Sequence, residues 1–431
     1  MLLRAGFFLV LLCSSAPSLA QEFSLAPVAA RELREMCGDD RGRLWGVSLC
    51  GPLLLADPAT RQVWASEQDA EGRLTRSGEG WAGALPPGVP IANTSVDWAG
   101  VRWTMVVAPL PANDEERRAL LAHEAWHRVQ SQLGLTAQGS DASHLESERG
   151  RTLMRLEMRA LATALRSRGN ARRSAAQDAL LLRGARLQEM AGAFAQEAAL
   201  DRNEGLAAYT GVRLGVTDQP DFFAARALDQ YESHQALARS YAYATGPAYG
   251  LLLDDYRRNW RSELGAYAPA DLLNGVLAAA VGDRQRLARA EERYGAAAVA
   301  GEERARAQAQ MARLAELRRR FGEARRLELP LQQMQFEFDP NQVTPVDGLG
   351  SFYGRLTLRD AWGELTADEG ALIDATFTRL VAATPGADGL SGPGWRLRLN
   401  PGWQVLPADA SEVLWVIPAP ELEAPAPDRR R

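Results

Sequence analysis

The chain has 431 residues, 46% apolar and 24% charged, which excludes a wholly disordered protein and suffices for two or three domains. Its 49 basic residues face 54 acidic ones, a formal charge of −5, without the basic excess a nucleic-acid binder shows, so no nucleic-acid partner is expected. All 49 are arginine, and the lack of lysine excludes Schiff-base chemistry and a P-loop lysine.

Residues 1–20 read as a secretory signal, with Arg4 at the start, an apolar stretch over 5–12 and a small-x-small cleavage site at Ser18-Leu19-Ala20. Leu12 before Cys13 departs from the small residue a lipid-anchor signal wants. No later segment is long and apolar enough to span a bilayer; the richest, 272–281, has about half the length required. The expectation is an exported protein, periplasmic or secreted, with no transmembrane segment. It keeps Cys37 and Cys50, an even pair that predicts one disulfide.

Residues 21–110 are expected to form an N-terminal β-rich region. Short apolar runs fall at 44–49, 52–56 and 62–65, and a hairpin over 95–108 turns near Ala99-Gly100. Residues 111–282 are expected to be helical. Asn113 and Glu116 make a capping box, and Leu120, Leu121, Trp126, Val129 and Leu133 recur at helical spacing up to Gly134. Further helices are predicted over 146–168, 172–199, 202–214, 221–243, 247–262 and 269–280, with a stop at Gly169-Asn170 and a break at Gly246-Pro247. The Ala-, Glu- and Arg-rich stretch 283–326 predicts a helical hairpin or linker helix with a solvated face. Residues 327–418 turn to strand patterns at 327–338, 354–358, 395–399 and 413–417, with Trp362, Trp395, Trp403 and Trp415 as a separate core. A Pro-rich, charged disordered tail is expected over 419–431.

His123-Glu124-Ala125-Trp126-His127 is an HExxH motif. Residues four apart share a helix face, so both imidazoles can reach one metal ion, and Glu124 can deprotonate a water beside it. A catalytic zinc needs a third protein ligand and an open position. Gln130 and Leu133 stand where the metzincin pattern wants glycine and histidine, so a carboxylate from a later helix is expected. Glu204, Glu146 and Glu197 compete for that place.

Around Glu204 the run Glu204-Gly205-Leu206-Ala207-Ala208-Tyr209 is Glu-Gly-x-Ala-x-Tyr. With the HExxH helix, it resembles the gluzincin metallopeptidases, in particular the peptidase-MA-like branch, over about residues 120–256. The resemblance implies that Glu204 is the third ligand, with Gly205 and Ala208 letting its helix approach the HExxH helix closely. Glu146 stands at the HExxH-x18-E spacing of aminopeptidase-type gluzincins, without their Gly-x-Met-Glu-Asn signature, and Glu197 lies two turns before Glu204. The 77 positions from His127 to Glu204 exceed the thermolysin-like gap and require an inserted helical hairpin. The resemblance also implies a Tyr or His oxyanion donor after the third ligand. Tyr243 and Tyr249, near the expected break, are the candidates; His234 and His144 are lesser ones. Arg155, Arg159 and Arg239 can grip a carboxylate, though surface salt bridges are the default.

The expectation is an α+β protein: a predominantly helical zinc-metallopeptidase-like domain between an N-terminal β region and a C-terminal β module. One zinc per chain is expected, bound by His123, His127 and Glu204, with Glu124 as general base and a peptide or protein as substrate. The alternatives are a zinc hydrolase of a non-peptide bond and a non-catalytic envelope scaffold that retains the site. Oligomeric state is not legible in the sequence.

Overall fold

The computed structural model describes residues 23–135, 142–265, 267–339, 342–406 and 412–419. The expected signal and almost all of the expected tail lie outside these residues. The fold is mixed α+β with an N-terminal β region and a C-terminal β module, in two compact units that divide between Glu303 and Arg304.

The first unit opens with a helix, Ala26–Asp40 (α1), where a β-rich region was expected. Its buried Ala26, Ala29, Ala30, Leu33, Met36 and Cys37 follow helical spacing, and a proline stands in the first turn, where its missing N–H costs nothing. Residues 44–49 are likewise not a strand but part of a loop that the Cys37–Cys50 disulfide closes. Six strands follow: Leu53–Ala56 (β1), Gln62–Ala65 (β2), Thr75–Ser77 (β3), Gly80–Ala84 (β4), Thr94–Trp98 (β5) and Val101–Val107 (β6). They form one sheet in the order β3-β4-β2-β1-β6-β5, antiparallel except for β1 beside β6. The β5–β6 hairpin turns at Ala99 and Gly100, both at positive φ, as a two-residue primed turn requires. Period-two alternation gives the sheet two buried faces. Leu53, Leu55 and Val106 join the helical core, while Leu54, Ala56, Val63, Trp103 and Met105 build a smaller core of their own.

The helices are Asp114–Val129 (α2), Glu148–Arg166 (α3), Gly169–Glu189 (α4), Ala193–Leu200 (α5), Leu206–Gly215 (α6), Pro220–Glu232 (α7), Leu237–Tyr256 (α8), Pro269–Leu277 (α9), Arg284–Arg293 (α10) and Ala296–Arg318 (α11). Helix α2 packs on β5 and β6 and, on its other side, against α6. The antiparallel pair α3 and α4 lies between them in sequence, the hairpin that the long gap demanded.

Three boundaries differ from expectation. Gly169 opens α4 rather than stopping a helix there. The helix expected over 172–199 divides at Met190–Gly192, where Gly192 takes a φ of 79°. The break expected at Gly246-Pro247 falls instead at residues 233–236, and Pro247 sits inside α8. A proline there removes the hydrogen bond to the Tyr243 carbonyl. Tertiary packing outweighs that loss: a Cβ on Gly246 would lie 2.3 Å from the Gly205 backbone.

The second unit holds strands Arg326–Pro330 (β7), Gln335–Phe338 (β8), Val343–Val346 (β9), Gly350–Tyr353 (β10), Leu356–Asp360 (β11), Gly363–Ala367 (β12), Ala371–Ile373 (β13), Arg379–Ala383 (β14), Ser391–Gly392 (β15), Trp395–Leu399 (β16), Trp403–Leu406 (β17) and Val413–Pro418 (β18). They form a sheet β17-β18-β7-β14-β13-β10-β9 and another β15-β16-β12-β11-β8. Leu327, Leu329, Leu380 and Val416 of the first meet Leu356, Leu358, Leu365 and Trp395 of the second in one core, so the unit is a β-sandwich. Trp362 and Trp395 are buried with their indole N–H groups on the Pro330 and Ala383 carbonyls; Trp415, expected in this core, is 41% exposed.

Candidate metal centre

Helix α2 starts where the Asn113 side chain accepts the Glu116 amide. Buried Arg117 forks onto Glu32 at 2.8 and 2.7 Å and ties this end of α2 to α1. One stripe of α2, with Leu120, His123 and His127, continued by Gln130 just beyond its end, faces a cleft of about 660 Å³. Ala208 and Val212 of α6, Phe223 and Tyr231 of α7, and Tyr243 of α8 wall it, and Thr94 and Ser95 of β5 form its rim.

Glu204 enters this cleft from a widened π turn, Asp201–Gly205, that leads into α6. Close approach of α6 to α2 depends on Gly211 and Gly215, whose added Cβ atoms would lie 2.5 and 2.4 Å from the Ala119 backbone. Gly205, expected in that role, instead faces Gly246 of α8.

Three donor atoms converge. His123 Nε2 and His127 Nε2 are 3.1 Å apart, and Glu204 Oε2 lies 3.3 Å from the first and 3.5 Å from the second. Metal bonds of about 2.0–2.1 Å in tetrahedral geometry put neighbouring donors about 3.3–3.4 Å apart. The spacing of the triangle therefore fits a small divalent ion, and two imidazoles with one carboxylate could hold one. Burial opposes ionisation of Glu204, yet the two imidazoles hold its carboxyl well below the usual carboxylate range. Burial also disfavours a charged His127, and the hydrogen bond and charge of Glu204 outweigh it, raising the imidazole above its ordinary value.

Glu124 Oε1 is 3.8 Å from His123 Nε2, while its Oε2 is buried with no hydrogen-bond partner among the described residues. Burial pushes this carboxyl up, against the pull of His123 and His127. The Tyr243 ring stacks on His123 at 5.5 Å, and its hydroxyl bonds to Glu204. Burial, with Glu204 adding, raises its phenol, so the proton stays on the oxygen at neutral pH.

The other expected residues lie elsewhere. Glu146 is exposed at the end of the turn Ser143–Glu146. Glu197 is fully buried, held by Arg186, Arg183 and His144. Burial opposes its ionisation, and the two guanidiniums outweigh that and keep it charged. Tyr249, expected as an oxyanion donor, faces away from the cleft: its hydroxyl donates to buried Glu157 Oε1 at 2.7 Å. His144 belongs to the same network through Gln196 and Glu197. His234 sits on the exposed α7–α8 connection against Ser240. Arg155 and Arg159 bind Glu232, and Arg155 also Glu302 and Glu303; Arg239 is exposed and outside the cleft lining.

Sequence reasoning missed the braces. Trp45, in the disulfide loop, packs on Trp126, Tyr209 and Trp260, and donates to Thr210 Oγ1 at 2.9 Å. Arg128 donates to the carbonyls of Leu49 and Cys50. Both neighbours of His127 thus grip the loop that the predicted disulfide closes. Also missed were Gln130, whose Oε1 lies 3.0 Å from His127 Nδ1, and Asn203, whose Oδ1 accepts from Gln130 Nε2; the signal was there in Gln130, three residues beyond His127. No family model matches the chain, and neither a curated protein nor a solved structure does.

Proposed function

We propose that this chain is an exported zinc metallopeptidase of the gluzincin type. One observation carries the reading: His123, His127 and Glu204 converge at tetrahedral donor spacing, with Glu124 Oε1 3.8 Å from His123 Nε2 and its Oε2 buried without a hydrogen-bond partner among the described residues. Those three residues would hold the zinc ion, which would supply Lewis acidity toward a water and the scissile carbonyl. Glu124, its carboxyl pushed up by burial, takes the proton of the attacking water and delivers it to the leaving amine. Tyr243 keeps its proton and donates a hydrogen bond to the developing oxyanion. A peptide substrate is favoured over other hydrolysable bonds because β5 rims the cleft as the terminal strand of its sheet. No strand among the described residues pairs with its outer edge, which offers N–H and C=O groups to an extended backbone. Ala208, Val212 and Phe223 suit an apolar side chain next to the cleaved bond. The Cys37–Cys50 disulfide supports an oxidising compartment.

The test is metal analysis followed by digestion of a peptide library. One zinc per chain is expected in the wild type, lost in Glu204→Ala and kept in Glu146→Ala and Glu124→Gln, with cleavage abolished in Glu124→Gln. No zinc in the wild type after incubation with the metal refutes the reading. Zinc without cleavage of any peptide refutes the peptidase and leaves a hydrolase of another bond.

A further inference from the structure

We propose that Gln130 and Asn203 are positioning residues that together set the tautomer of His127 and the free oxygen of Glu204; this rests on the metal-site reading above. Gln130, buried at 6% exposure, opens the turn Gln130–Leu133 that ends α2. Its Oε1 lies 3.0 Å from His127 Nδ1, and its Nε2 donates to Asn203 Oδ1 at 2.9 Å. Asn203 Nδ2 in turn donates to Glu204 Oε1 at 2.8 Å.

The carboxylate gives this chain its direction. An ionised Glu204 only accepts, so Asn203 must present its NH2 group to it and turn Oδ1 toward Gln130. Gln130 must then offer its own NH2 to Asn203, which leaves Oε1 for His127. An amide oxygen facing Nδ1 demands Nδ1–H, and the lone pair is left on Nε2, the atom in the donor triangle. At the other end, Glu204 Oε1 accepts from Asn203, while Oε2 is the oxygen 3.3 and 3.5 Å from the imidazoles. The two ligands thus meet twice: through donor atoms 3.5 Å apart, and behind them through two amides. The π turn presents Asn203 and Glu204, consecutive in sequence, the first to the turn that ends α2 and the second to the imidazoles of α2.

The test measures zinc affinity by chelator competition on full-length Gln130→Leu, Asn203→Leu, the double variant and Gln130→Glu. Cobalt absorption spectra report ligand geometry. Circular dichroism and melting of the metal-free proteins control for folding. Each leucine variant should bind zinc about 10- to 100-fold more weakly and shift the cobalt spectrum, as the loss of a ligand's outer partner does. The double variant should lose no more than the weaker-binding single, because one relay is cut twice. Gln130→Glu, which still accepts from Nδ1–H, should recover part of the loss. Should the leucine variants fail to fold, Gln130→Glu and Asn203→Ser carry the comparison, each expected to bind more weakly than wild type. Folded variants that bind within twofold of wild type, or losses that multiply in the double variant, overturn the relay. If Glu204→Ala loses zinc while these variants keep it, only this inference falls; if the wild type binds no zinc, the metal-site reading falls and takes this one with it.

Discussion

Gly211→Ala places one methyl group between α2, which carries His123 and His127, and α6, which follows the turn that carries Glu204. The added Cβ would lie 2.5 Å from the Ala119 carbonyl oxygen and 3.5 Å from the His123 Cβ. Ordinary contact starts near 3.4 Å, and the obstacle is backbone, so α6 must retreat by about 0.9 Å. Overpacking of this kind costs about 1–3 kcal/mol, and the better helix propensity of alanine returns about 1 kcal/mol. The net loss of stability should be about 0–2 kcal/mol. The larger effect falls on the metal. Glu204 Oε2 is 3.3 and 3.5 Å from the two Nε2 atoms, and retreat by about 0.9 Å takes it beyond the roughly 3.3–3.4 Å that a tetrahedral site allows. Zinc should bind about 10- to 100-fold more weakly, equivalent to about 1.4–2.8 kcal/mol. Urea unfolding of the metal-free protein measures the first quantity and chelator competition the second. A variant that binds zinc as tightly as wild type refutes the argument that glycine at this contact sets the donor triangle.

Tyr243→Phe should keep its zinc and lower kcat about 100- to 1,000-fold with little change in KM. Tyr249→Phe should leave kcat within a few fold and cost about 1–3 kcal/mol of stability, because buried Glu157 loses a donor; steady-state kinetics and urea melts on the pair separate the two roles. Replacing Cys37 and Cys50 with serine should cost about 3 kcal/mol and weaken zinc, since Trp45 and the carbonyls bound by Arg128 sit on the loop they close; unchanged zinc affinity would show that the loop does not brace the site. Burial raises the carboxyl of Asp201 from 3.8 to about 6, with Glu197 and Glu157 adding and Arg183 opposing. The folded state then holds the extra proton between those values, so this group's contribution is complete below about pH 4 and lost as pH rises through 6, roughly 3 kcal/mol in all. Asp201→Asn should gain stability relative to wild type from pH 4 to pH 7, and urea midpoints that run parallel across that range contradict it.

The sequence by itself determined what consecutive residues can encode. His123, Glu124 and His127 were legible because one turn of one helix sets their geometry, and the cap at Asn113 and the turn at Ala99-Gly100 are equally local. Helix α1 was legible in the same terms, its buried residues following helical spacing, and was overlooked beside the strand-like runs after it.

Tertiary structure decided between residues that look alike along the chain. Glu197 and Glu204 are both acidic and two turns apart, but Arg183 and Arg186 from α4 neutralise the first in the interior and leave the second to the imidazoles. Tyr243 and Tyr249 are six residues apart on one helix and point to different sites, the cleft and the Glu157 network. Pro247 predicts a break by its own chemistry, yet the contact of Gly246 with Gly205 carries the helix through. Gln130 and Asn203 meet only because α6 is brought against α2 across more than seventy residues of chain. Periodicity follows from covalent spacing and needs no partner. Which acid is neutralised, which tyrosine meets the cleft and which amides join His127 to Glu204 depend on distances that exist only after the helices have packed.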